Sequence, residues 1–255
     1  MHPLAIDVQQ VGVAESLEDN IRTNMQRGLP EIAPAFYFHD GTFVIVGSGP
    51  SLPDFIEEIK QEKAKGRTIV AIKGAHDFLC EHGIEPDLFI SVEPRDRRNN
   101  LQRKNQHTVY LLASRVNTDV FEHLKDCKVM LWHSWSMERE CRVFKGKFAI
   151  GGGTTSGLRA INIGYILGFR KFKMYGMDSC LAKDGETKRF TGEKAGKIID
   201  VHVGGKKFLC TLALAVQANE FQELYNIMPD AHIEAVGDGL ISAILDERKR
   251  LGSHT

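Results

Sequence analysis

The chain has 255 residues, with 33 Lys and Arg balancing 33 Asp and Glu for a formal net charge of zero. With 42% hydrophobic and 26% charged residues it has the make-up of a folded globular chain that can bury a sizeable core. A balanced charge argues against a broad basic surface for nucleic acid, no apolar run approaches the ~20 residues of a membrane-spanning helix, and five scattered cysteines form neither a disulfide scaffold nor a metal-ligand set.

The first residues, Met1 to Asp7, lack the basic stretch and long apolar segment of a secretion signal, so the expected location is the reducing cytoplasm. Leu17, Ile21 and Met25 recur at a helical period ahead of Pro30 and Pro34, which predicts an N-terminal helical arm over 1–40. That arm offers surface for a homo-oligomer contact. From 41 to 255 the pattern is that of one domain. Phe43 to Val46 reads as a buried strand, and Leu52, Phe55, Ile56 and Ile59 lie on one helix face ending near Gly66. Further strands are expected at 68–72, 88–92, 109–112, 129–132, 148–150 and 172–175, with a short helix over 75–82 and a longer one over 158–167 stopped by Gly168. Residues 183–197 are polar and glycine-containing and predict a mobile lid loop. A helix over 212–227, a strand over 233–236 and a helix from Leu240 complete the chain. Apolar strands alternating with helices predict an α/β, Rossmann-like fold: a mostly parallel sheet with helices on both faces.

Three segments carry the candidate chemistry. Gly47-Ser48-Gly49-Pro50-Ser51 stands where the first strand turns into a helix; glycines there let a ligand approach, and Ser51 is placed as an N-cap with Asp54 as its capping-box partner. The turn lacks the third glycine of a dinucleotide fingerprint and the Gly-Lys-Ser/Thr of a Walker loop, so it reads either as a ligand turn or as an ordinary tight turn. Gly151-Gly152-Gly153-Thr154-Thr155-Ser156-Gly157 joins another strand to a helix and offers amides and hydroxyls to phosphate or sugar oxygens. Both turns fall on the carboxyl edge of the sheet, where open α/β sheets bind ligands. Tyr175-Gly176-Met177-Asp178 ends a third strand; Asp178 either holds a ribose hydroxyl, orients a substrate or binds a metal, or caps the next turn.

Glu93 ends a strand and admits the same readings, and Lys73 either neutralises a phosphate or is a solvated loop lysine. His133, between Trp132 and Trp135, and His202, after the lid, are the histidines considered for proton transfer, against a structural role for each. Nucleophile elbows, zinc signatures and paired-carboxylate motifs are absent from the sequence.

In order, the GSGPSL turn, Thr154-Thr155-Ser156-Gly157 opening a helix, and Leu167-Gly168-Phe169 leading to Tyr175-Gly176-Met177-Asp178 resemble the MptE-like proteins. That group includes the motility accessory factor glycosyltransferases and archaeal 6-hydroxymethylpterin diphosphokinases. The series also resembles, more distantly, the Rossmann-like bacterial sialyltransferases, whose two loops hold a cytidine nucleotide donor. The resemblance implies donor contacts from Gly47, Ser48, Gly49, Pro50 and Ser51, from Thr155, Ser156 and Gly157, and from Gly176 and Asp178 near the base or ribose; Gly153 and Thr154 are expected donor contacts from their place in the second loop. The sialyltransferases carry asparagine where this chain has Ser48 and near Lys73, and their catalytic histidine follows the lid, where His202 stands here.

The expected function is a transferase moving a sugar from a sugar nucleotide to a hydroxyl acceptor, with no cofactor, His202 or His133 as general base, and Ser48, Lys73 and Asp178 setting donor specificity. Two alternatives accompany it. One is diphosphate transfer from ATP to a pterin-like alcohol, with Asp178 and Glu93 holding magnesium. The other is a non-catalytic module that senses a nucleotide.

Overall fold

The computed structural model describes residues 14–136 and 138–252. The first thirteen positions of the expected arm lie outside the described residues. The remainder forms α1 (Ala14–Met25), whose Leu17 and Ile21 are buried, as its helical spacing requires. α1 is tied down by two asparagines: the Asn20 amide donates to the Arg115 carbonyl, and that of Asn24 to the Ser114 and Val116 carbonyls. The segment that follows joins the sheet, with the Ile32 amide on the Leu131 carbonyl and the Leu131 amide on that of Pro30.

The expected strands all form, as β1 (Thr42–Val46), β2 (Thr68–Ile72), β3 (Leu88–Ser91), β4 (Val109–Ala113), β5 (Lys128–Ser134), β6 (Ala149–Ile150) and β7 (Lys171–Tyr175). Between them lie α2 (Ile56–Ala64), α3 (Ala75–Glu81), α4 (Thr118–His123), α5 (Glu138–Val143) and α6 (Ser156–Ile166). A two-stranded antiparallel hairpin, β8 (Ile198–Val203) and β9 (Lys206–Thr211), precedes α7 (Leu212–Asn226), β10 (His232–Ala235) and α8 (Leu240–Gly252).

Among the described residues eight strands make one parallel sheet in the order β10-β7-β1-β2-β3-β4-β5-β6. Phe43, Val44, Ile45 and Val46 of β1 are all buried, so consecutive side chains on opposite faces are both covered, which requires helices on both sides. The chain builds outward from β1 to β6, then crosses back along α6 to place β7 on the other side of β1. Strand order therefore reverses between β1 and β7. That is where an open parallel sheet leaves a crevice at its carboxyl edge.

Three local expectations need correction. The segment after β1 opens as a 3-10 turn, Leu52–Phe55, with Pro53 at its start, before α2 begins. Ser51 makes no side-chain cap there; its hydroxyl is drawn instead to Asp178. The β8–β9 hairpin, α4 and α5 were not foreseen. The lid folds around Asp184, whose carboxylate accepts from the Glu186 and Thr187 amides and the Thr187 hydroxyl, while across the loop the Lys188 amide donates to the Glu193 carbonyl and the Ala195 amide to that of Glu186. No helix among the described residues is long and apolar enough to cross a membrane.

Candidate functional site

At the reversal point the ends of β1 and β7 are pressed together. The Gly47 amide donates to the Tyr175 carbonyl and the Gly49 amide to the Gly176 carbonyl, both at 2.8 Å. A side chain on Gly47 would stand 2.5 Å from the Gly176 oxygen, and one on Gly49 would overlap the Asp178 carboxylate. The two glycines of the first turn thus serve the approach of β7. Asp178 closes the arrangement, accepting from the Ser51 hydroxyl at 2.6 Å and the Ser51 amide at 3.1 Å. Burial pushes the Asp178 carboxyl above its ordinary range, the two Ser51 donors oppose that, and Asp238 adds to the rise. Asp178 acts as a positioning residue for the first turn.

The consequence is electrostatic. In the first turn the amides of Gly47, Gly49, Ser51 and Leu52 are spent inside the protein, leaving that of Ser48. At the start of α6 the balance is opposite. Gly152 and Gly153 adopt positive φ (99° and 81°) and swing the chain round, and the Thr155 hydroxyl caps the Leu158 amide. The Thr155, Ser156 and Gly157 amides then have no hydrogen-bond partner among the described residues. These are the orphan donors of a helix N-terminus, carrying its partial positive charge. Of the two turns, the second therefore keeps the larger share of unpartnered amides.

The two turns face each other across a cleft of about 200 Å³. Gly47, Ser48, Gly49, Pro50, Lys73, Thr155, Gly157, Gly176 and Asp178 line it, so most of the sequence-predicted donor residues do converge. Ser51 stands behind Asp178, Gly153 shapes the turn through its positive φ, and Thr154 and Ser156 face an adjoining pocket. Thr154 donates from its amide and hydroxyl to Glu220.

Lys73 is the distinctive side chain. Only Lys73 and Ser179 among the described non-glycine residues have positive φ, 53° and 52°, and both line the cleft, at the ends of β2 and β7. The half-buried Lys73 has no hydrogen-bond or salt-bridge partner for its ammonium, and the buried Ser179 hydroxyl has no hydrogen-bond partner either. Burial lowers the Lys73 pKa, Arg189 adds to the fall, and Glu93 opposes it. An anion in the cleft would raise it again, so binding should take up protons. Affinity is expected to be greatest below the lowered Lys73 value and to fall as pH rises through the window between the free and bound values. Calorimetry in buffers of differing ionisation enthalpy should show this uptake, and Lys73→Met should abolish it.

Several residues of the cleft escaped the sequence reading. Lys188 and Arg189 reach it from the lid, each paired with Glu193, while the Phe190 amide meets the Ser48 carbonyl and its ring packs on Phe78. The first turn of α7 lies opposite, capped by Thr211. A Lys-Arg pair inside the lid and a threonine before an apolar helix were the available signals.

Neither histidine is brought to the cleft. His133 is buried with Nδ1 on the Ser114 hydroxyl and its ring stacked on Phe144, and burial lowers its pKa. His202 is exposed on β8, cross-strand from Lys207. Asp178 and Glu93 are not brought together as a magnesium pair either: they line different cavities, Asp178 holds Ser51 with both oxygens, and Glu93 is bidentate on Arg95 at 2.7 and 2.9 Å. Among the described residues no group of three His, Cys, Asp or Glu side chains converges as a metal site. The carboxylates present do not fit a shared divalent cation.

The fold is similar to that of the solved MAf glycosyltransferase from Magnetospirillum magneticum AMB-1, with a TM-score of 0.74 at 18% identity. The match covers 88% of this chain and 36% of that one, so the chain spans about a third of that protein's length. Among curated proteins nothing matches. The family match runs over residues 15–184, across the expected arm boundary at 40, and takes in both glycine turns, Lys73 and Asp178. The chain belongs to the 6-hydroxymethylpterin diphosphokinase MptE-like family.

Proposed function

We propose that the chain is a transferase that holds a nucleotide-activated donor, a sugar nucleotide, in the cleft between β1 and β7 and transfers its activated group to a hydroxyl acceptor. The observation that carries this reading is the pairing of three orphan amides at the start of α6 with an unpartnered, half-buried Lys73 at the reversal of strand order. Such a site is arranged for oxyanion charge before any ligand arrives. In group transfer the bond from the transferred carbon to the donor phosphate oxygen breaks as the acceptor oxygen attacks, the acceptor's proton passes to water or to the departing phosphate, and negative charge grows on that phosphate as the bond breaks. Fixed amides and an ammonium in a partly dehydrated cleft stabilise that growing charge without reorganising, which is a large catalytic term. Asp178 holds the opposite wall in place through Ser51.

The expected outcome of a thermal-shift panel is stabilisation by one or more CMP-, UDP- or GDP-linked sugars, in the presence or absence of chelator. Because neither histidine lines the cleft, the His133→Ala and His202→Ala variants should keep that stabilisation, and His202→Ala should also keep turnover within about twofold.

A second reading follows from the family: diphosphate transfer from ATP to a pterin-like alcohol. It uses the same phosphate cradle. Stabilisation by ATP with magnesium alone, lost in chelator, would favour it over a sugar nucleotide.

A further inference from the structure

Beyond Lys73 and Thr155 the donor cleft opens into a second pocket of about 220 Å³, running along the carboxyl edge of the sheet toward β5. Successive strand ends each deliver a group to it: Lys73 after β2, Glu93 and Arg95 after β3, Arg115 after β4 and Ser136 after β5, with Ser156 and Arg159 from the first turn of α6. Four cations thus line it against one carboxylate, Glu93, while Glu140 lies behind Arg115 at 3.3 Å.

Two of the lining groups are built in rather than solvated. Arg159 is 4% exposed; its terminal nitrogens hold the Ile150 carbonyl at 2.5 Å, the Trp135 carbonyl at 2.9 Å and the Ser136 hydroxyl at 3.2 Å, while Nε has no partner. Burial and the neighbouring Arg115 lower its pKa to about 10. Ser156 is 1% exposed, and its hydroxyl has no hydrogen-bond partner either. A buried hydroxyl without a partner is destabilising for a protein that binds nothing there. Excess positive charge, fixed guanidinium geometry and unspent donors together describe a receptor for a planar or tetrahedral oxyanion.

We propose that this second pocket is an oxyanion subsite, separate from the donor's own phosphate, which holds a phosphate or carboxylate carried by the transferred group or by the acceptor. Its place in the reaction rests on the donor reading given above; its binding of an oxyanion does not.

The test uses inorganic phosphate as probe, with wild-type protein in thermal-shift titrations alone and with a saturating nucleotide. Phosphate is expected to stabilise the protein, and to do so additively with the nucleotide. Arg95→Glu, a change at an exposed side chain, should weaken phosphate at least tenfold and leave the nucleotide shift intact. Ser156→Ala should weaken phosphate several-fold while the ligand-free melting temperature stays level or rises, which a purely structural hydroxyl would not do. Comparing a nucleotide-linked sugar acid with a nucleotide-linked neutral hexose assigns the source: selective loss of the acid in Arg95→Glu places the oxyanion on the transferred group, and equal binding of both places it on the acceptor.

Loss of the phosphate effect once nucleotide is bound would overturn the proposal, because the probe would then occupy the donor site alone. So would no stabilisation by phosphate, or phosphate binding unchanged in both variants. If no nucleotide binds but phosphate and its variant losses persist, the donor reading fails and the subsite stands.

Discussion

Replacing Lys73 with glycine is expected to make the protein more stable and its donor binding weaker. Lysine at φ 53° occupies the left-handed region, a conformation that costs an L-residue about 1–2 kcal/mol and that glycine adopts freely. The substitution also removes a half-buried ammonium that has no hydrogen-bonded carboxylate partner. The greater chain freedom of unfolded glycine offsets part of the gain, which leaves roughly 1 kcal/mol and a rise in melting temperature of about 2–4 °C. Nucleotide affinity should move the other way. A charge-assisted hydrogen bond to phosphate is worth about 1.5–3 kcal/mol, so roughly tenfold to hundredfold should be lost. Opposite signs in stability and binding mark a residue kept for its ligand. A drop in both would make Lys73 a structural lysine, and a differential scan with a nucleotide titration on the same variant reads both.

Gly49→Ala should be among the most damaging small changes in the chain, and Gly157→Ala one of the mildest, although both glycines sit in the site. At Gly49 the added methyl would meet the Gly176 carbonyl at 2.6 Å and overlap the Asp178 carboxylate. These atoms are fixed by the sheet and by the two Ser51 hydrogen bonds, so β1 and β7 must part. Overpacking of that kind costs about 3 kcal/mol, or some 6–12 °C in melting temperature, and donor binding should be lost with it. At Gly157 the nearest atoms are the thioether end of Met177, a flexible side chain, and the Ile72 methyl at 3.2 Å. Alanine is also favoured over glycine in a helix by about 1 kcal/mol, which offsets the repacking. Parallel denaturant curves check the pair; equal losses would mean that the β1–β7 contact is not the rigid element described.

The sheet was legible because its strands are short apolar runs separated by helical or polar segments, and runs such as Phe43 to Val46 are buried on both faces. The position of the site was legible for a related reason: two glycine-rich strand-to-helix turns in a parallel sheet must share its carboxyl edge. What each turn does was not. A glycine needed for ligand approach and one needed for the approach of a neighbouring strand look identical in sequence, and Gly47 and Gly49 belong to the second kind. Ser51 appeared as a cap because its partner, Asp178, lies 127 positions away. His202 stood out for its place after the lid, but the run Asp200-Val201-His202-Val203 alternates polar and apolar residues before Gly204-Gly205. That is the signature of a hairpin with a two-glycine turn, and both glycines do adopt positive φ, 57° and 76°. Hairpin formation leaves His202 exposed on β8 and outside the cleft.

The central claim is that the α6 start, rather than the first glycine turn, grips the donor's phosphate. Amide hydrogen exchange with and without a bound nucleotide tests it most directly, because the two turns begin from different states. Thr155, Ser156 and Gly157 lack partners and should exchange quickly in the free protein, whereas Gly47, Gly49 and Ser51 are already hydrogen-bonded. Nucleotide binding is expected to slow exchange at 155–157 markedly, with little change at 47, 49 and 51. Protection confined to the first turn, or falling only on the separate cavity lined by Lys183, Lys207 and Asp238, would contradict it.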